Sequence, residues 1–217
     1  MSEKEILTRK ERERAFRRQE IMNAAKPLFA SKGFNQTTLE EIAESAEFGK
    51  GTLYNYFENK EEIYFSVISE FVSRLSQIID EAIDSSESFV EYIQKSIRDL
   101  FHFCIEDQSG YILFVREYSK INTETIIKDT EVYAKEHGLN FERELNVFRQ
   151  AAEDGIICSK RPERTFMMYR MTSFSTIHNI IVSSCHKSTE EINIDEEIEI
   201  FSDFILNGII KHPRSIN

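Results

Sequence analysis

The stretch Thr38–Lys60, TLEEIAESAEFGKGTLYNYFENK, constrains this chain more than any other, because its pattern demands two short helices joined by a tight turn. Thr38 stands three residues before Glu41. That is the spacing of a capping box, in which each side chain satisfies a backbone donor left open by the first helical turn. Leu39, Ile42, Ala43 and Ala46 then fall at i, i+3, i+4 and i+7, the stripe of a helix with one buried face. Glu47, Phe48 and Gly49 interrupt the stripe, with Phe48 expected to face inward. A second helix is predicted from Lys50 to about Glu58, with Leu53 and Phe57 sharing its buried side.

The opposite side of that second helix presents Gly51, Thr52 and Asn55, with Tyr54 and Tyr56 on its flanks. Laid in a major groove, it would aim short polar side chains at base edges and phenolic hydroxyls at the phosphate walls. The same periodicity also suits any helical corner, in which the two tyrosines would be half-buried packing residues. The longer run GFNQTTLEEIAESAEFGKGTLYNYFENKEEIY closely resembles the signature of the TetR family of bacterial transcriptional repressors. The resemblance is carried by the paired threonines, Lys-Gly-Thr-Leu-Tyr, the Tyr-Phe pair and the following Lys-Glu-Glu. It is dense from about Arg18 to Ile68 and only architectural beyond.

The resemblance implies an all-α fold of nine or so helices, with a three-helix DNA-binding head at residues 1–58 and an effector-binding and dimerisation domain at residues 59–217. It also implies a palindromic double-stranded DNA operator, bound by a homodimer and released by a small-molecule effector. By the family pattern, Thr52 and Asn55 read bases, Gly51 lies on the same face, and Lys50 reaches base or phosphate. Thr38, Tyr54, Tyr56 and Lys60 hold phosphates. The chain departs from the pattern in its turn, where Glu47 stands in place of a small residue and Gly49 in place of a side-chain cap. Pro27, inside the stripe Ile21, Ala24, Ala25, Leu28, Phe29, is expected to kink the first helix.

A net charge of −11 is hostile to a polyanion, but its distribution is not. Residues 1–60 carry 11 Lys+Arg against 10 Asp+Glu, which leaves 16 against 28 for residues 61–217. Arg9, Lys10, Arg12, Arg14, Arg17 and Arg18 cluster with only Glu11 and Glu13 between them. A solvated helix end would look the same, but attached to this head the cluster points to phosphate contact, with Arg17 and Arg18 nearest.

Beyond the head, helices are predicted over Lys60–Asp84, Phe89–Glu106, Tyr111–Ser119, Thr123–Glu136, Leu139–Asp154, Pro162–Ser184 and Ile194–Ile210, with Asn59 capping the first. Ser109-Gly110 is expected to separate the second and third of these. The last two are more apolar than one buried stripe needs, which suits a dimer interface. Phe101, Phe114, Met167 and Phe174, with His178 and Arg116 as polar anchors, are the expected lining of a pocket for an apolar or amphipathic effector. Three widely spaced cysteines and five histidines form no metal-ligand or disulfide pattern. No Gly-rich phosphate loop or nucleophile elbow appears. The expectation is therefore a cytoplasmic protein that is not an enzyme and has no cofactor, no metal and no membrane segment. An architectural DNA-binding protein without an effector is the alternative.

Overall fold

The computed structural model describes residues 8–118, 141–157, 159–185 and 193–210. Among them the chain forms nine helices: α1 Arg9–Lys32, α2 Leu39–Ser45, α3 Lys50–Leu53, α4 Lys60–Ser85, α5 Phe89–Glu106, α6 Gln108–Tyr118, α7 Phe141–Glu153, α8 Pro162–Cys185 and α9 Ile194–Ile209. An isolated antiparallel bridge joins Ile157 to Ile210. The expected helix over Thr123–Glu136 lies outside the described residues.

The described residues divide into two compact units, 8–71 with 109–118, and 72–108 with those from 141 onward. In the first, α1 starts at a Thr8–Glu11 capping box and ends at Gly33, whose φ of 82° a side chain would resist. Pro27 lies inside α1, which is 24 residues long. Ile21, Ala25 and Phe29 of α1 are fully buried, as are Ile42, Leu53, Ile63 and Val67 from the next three helices or within 3% of it. The ring of Phe29 meets Tyr64 edge-on at 5.1 Å.

α6 belongs to this same unit although more than forty residues separate it from the helix-turn-helix stretch. Phe114 packs on Phe71 at 5.6 Å between ring centroids, the Tyr64 hydroxyl donates to Glu117 at 2.6 Å, and Arg116 Nη1 donates to the Phe29 carbonyl at 3.1 Å. Ser109-Gly110 does not separate α5 from α6 as expected. The break falls at Asp107, which leaves helical geometry at φ −107° and ψ 59°, and α6 starts at Gln108 and runs through the glycine.

In the second unit α5 packs on α7, α8 and α9, and α7 packs on α8. Phe89 meets Phe148 edge-on at 5.2 Å, and Phe101 stacks on Phe201 at 5.2 Å. The core also takes in Ile93, Ile97, Phe166, Tyr169, Ile177, Ile180, Ile198 and Ile205, all buried. After α7 the chain turns at Gly155, where φ is 70°.

Candidate nucleic-acid interface

Two local devices fix the turn between α2 and α3. The Thr38 hydroxyl accepts from the Glu41 backbone N–H at 3.2 Å, and the Glu41 carboxylate accepts from the Thr38 N–H at 2.9 Å. Lys32 adds a 2.6 Å ion pair to the same carboxylate. These contacts, the lysine foremost and then the Thr38 backbone, pull the Glu41 carboxyl down to about 2. At the other end Glu47 sits at φ 58°, the left-handed geometry usually given to glycine, and the Phe48 N–H donates to the Ala43 carbonyl at 2.8 Å. Gly49 then caps α3 with no side-chain hydrogen bond.

α3 is shorter than the sequence pattern predicts, ending at Leu53 rather than near Glu58. Tyr54, Asn55 and Tyr56 continue as a turn. The Asn55 and Tyr56 N–H groups donate three residues back, to Thr52 at 3.1 Å and Leu53 at 2.9 Å, the tightened pattern of a helix end. Asn, Tyr and Phe are weak helix formers, and Asn59 already caps α4 through the Glu62 N–H at 2.8 Å, so nothing sustains another helical turn.

The face this leaves outward holds most of the predicted contact residues. Lys50, Gly51 and Asn55 are exposed, Tyr54 is 53% exposed, and Thr52 and Tyr56 are half-buried. Thr38 is exposed but its side chain is engaged in its cap. Lys50 pairs with Glu40, which lowers the pKa of that carboxyl and raises that of the ammonium. Arg17 pairs with Glu20 at 3.0 Å and lies over the half-buried ring of Phe48. Arg14, of the same basic cluster, lies 5.9 Å from the Tyr56 ring.

Two of the expected phosphate cations make internal hydrogen bonds. Arg18 donates to the Tyr56 carbonyl, to Glu62 at 3.1 Å and to Ser66 at 3.4 Å, with its guanidinium 3.9 Å from the Phe57 ring centroid. Lys60 donates to the carbonyls of Phe34 at 2.8 Å and Thr37 at 2.9 Å. Both side chains satisfy carbonyls where helices end, so they hold the reading face in place from behind. Thr37, buried and donating to the Leu28 and Gly33 carbonyls, does the same, and its only sequence trace is the paired threonine.

The six expected pocket residues divide between the two units. Phe114 and Arg116 belong to the first unit, where one fills space beside Phe71 and the other satisfies the Phe29 carbonyl. Phe101 stacks on Phe201, Met167 and Phe174 are half-buried on α8, and His178 is exposed on that helix. Sequence reasoning missed a buried polar group in the second unit, in which Glu144 accepts from the Tyr92 hydroxyl at 2.7 Å and from Arg170. The signal was a glutamate at the stripe position shared with Phe148 and Ala151, and an arginine four residues after Phe166.

Residues 21–67, which hold this reading face apart from Arg17, match the model of the bacterial regulatory proteins of the tetR family. The HTH-type transcriptional regulator YhgD of Bacillus subtilis is 30% identical over 141 residues, 64% of this chain and 69% of the relative. The chain belongs to the TetR family. QacR of Staphylococcus aureus, another HTH-type regulator, is 26% identical over 200 residues, 88% of this chain and 97% of QacR. The ketosteroid transcriptional regulator KstR2 of Mycobacterium tuberculosis shares the fold, with a TM-score of 0.71 at 19% identity over 90% of this chain and 96% of that one.

This TetR-family member is therefore a helix-turn-helix transcriptional regulator. Among its described residues no helix is long and apolar enough to cross a membrane. It also carries an apolar surface for which the head has no use. Met168 (68% exposed) on α8 and Phe204 (66%) on α9 line a groove of about 340 Å³ together with Tyr169, Thr172, Ile205 and Ile209, and Met171 and Ile200 on the same two helices are exposed as well.

Proposed function

We propose that the chain is a cytoplasmic repressor that binds a palindromic operator as a homodimer through α8 and α9, and leaves it when a small apolar or amphipathic effector enters residues 59–217. The observation that carries the DNA half is the outward cluster Lys50, Gly51, Tyr54 and Asn55, set on a turn whose supporting cations face inward. Thr52 and Asn55 read bases; Lys50, Tyr54, Tyr56 and Arg17 reach phosphates; and Thr38 offers its backbone end of α2. Residues 1–58 carry these DNA contacts, and the rest has no catalytic role.

The exposed side chains Met168, Met171, Ile200 and Phe204 support the dimer half, since four large apolar groups on adjacent helices of one unit are better buried on a copy of themselves. Two heads then meet successive major grooves about 34–36 Å apart, or somewhat more if splayed. Footprinting and sedimentation test this together. A dimer protecting two symmetric half-sites is expected, and Phe204→Glu should give a monomer that has lost the paired footprint. A wild-type monomer without preference for paired half-sites would refute the reading.

A further inference from the structure

Arg170 and Glu144 are both at least nine-tenths buried in the second unit, and their surroundings resemble a binding site more than a strut. The guanidinium donates to Glu144, whose other oxygen accepts from Tyr92 at 2.7 Å. Its carbon lies 4.2, 5.4 and 5.8 Å from the ring centroids of Phe141, Phe174 and Phe166. A carboxylate, a hydroxyl and three aromatic rings are what a cation needs when it gives up water. A buried ion pair, by contrast, seldom stabilises a fold more than apolar side chains of the same volume.

We propose that Glu144, Tyr92, Phe141, Phe166 and Phe174 form a site for the cationic head of an amphipathic ligand, and that Arg170 fills it while no ligand is bound. This rests on reading residues 59–217 as effector-responsive, and it names the chemical class of the effector. The two partners differ in their freedom to leave. Arg170 has a long stem that can carry its charge toward solvent, past rings of Phe141 and Phe174 that are only half-buried. Glu144 is short and sits on the buried face of α7 with Phe148 and Ala151, so it has nowhere to go. The exchangeable member is the cation, and its departure leaves a negatively charged aromatic box. The excess of 28 acidic over 16 basic residues in 61–217 draws cations toward the same part of the chain.

Calorimetry on the full chain, with dodecyltrimethylammonium below its micelle concentration and dodecanoate as the anionic counterpart, tests the proposal. The ammonium should bind, and Glu144→Gln should weaken it roughly ten- to a hundredfold, the loss of a hydrogen-bonded charge. Arg170→Met should strengthen it by removing the competitor. Because that variant strands a buried charge, Glu144→Gln/Arg170→Met serves as a second probe, expected to melt like the wild type and to bind no cation. Equal ammonium affinity in wild type and Glu144→Gln, or binding of dodecanoate alone with a dependence on Arg170, would overturn the proposal. Repeating the titration with the footprinted operator separates the two readings. An ammonium held by Glu144 that leaves operator affinity unchanged keeps the site and refutes the effector role.

Discussion

Glu47→Gly measures what the turn ahead of the recognition helix costs this chain. Glu47 holds φ 58°, and its N–H donates to the Glu44 carbonyl at 3.1 Å, so the conformation is set by the turn and not by its own side chain, which is exposed. An L-residue in that geometry is strained by roughly 1–2 kcal/mol, while glycine's wider freedom in the unfolded chain takes back about 0.4–1. The net gain is about 0.5–1 kcal/mol, or a rise in melting temperature of roughly 1–4 °C for a chain of this length. Glu47→Ala removes the same charge but keeps the strain, so it should not melt higher than the wild type. Thermal melts of the three proteins followed by circular dichroism decide it. If alanine and glycine raised the melting temperature equally, the gain would come from lost charge and not from backbone strain, and the argument would fail.

Gly51→Ala should leave stability unchanged or raise it by about 0.5–1 kcal/mol, since an added Cβ meets nothing within 4 Å, yet it should weaken operator binding in a fluorescence anisotropy titration if the backbone there approaches DNA. Equal affinity would show that it does not. Tyr54→Phe should cost about 1.5 kcal/mol of affinity on every sequence, with no change in melting temperature, because its exposed hydroxyl is expected to meet a phosphate. Lys60→Met should do the reverse on stability, lowering it by about 1–3 kcal/mol as the Phe34 and Thr37 carbonyls lose their donor. Glu41 has its carboxyl held at about 2 against an ordinary 4.5, so its contribution is present above pH 4.5 and is lost as the pH falls from there toward 2. In a melting series over that range, Glu41→Gln should flatten the acid limb.

The local signals in the sequence were strong where a helix is governed by its own residues. The Thr38–Glu41 box and the span Phe89–Glu106 both depend on neighbours a few places away. What escaped depends on distant partners. The internal contacts of Arg18 and Lys60 are invisible until Phe57, Tyr56, Phe34 and Thr37 are brought beside them. Ser109-Gly110 looks like a break, because a glycine's cost in a helix is visible and the packing of α6 that offsets it is not. The Glu144–Arg170 pair joins residues 26 positions apart, so nothing local to either names its partner.

The placement of α6 bears on how such a regulator can be cut and recombined. A fragment ending after the recognition helix, or even at Phe71, lacks Leu113 and Phe114, both nearly or wholly buried, as well as the Arg116 and Glu117 partners of Phe29 and Tyr64. Such a piece would expose an apolar wound on its own core. A chimaera that grafts this reader onto another sensor therefore has to carry residues 109–118 across with it, or rebuild their contacts in the recipient. The transferable part is discontinuous in the gene, and a single crossover near residue 59 would divide it.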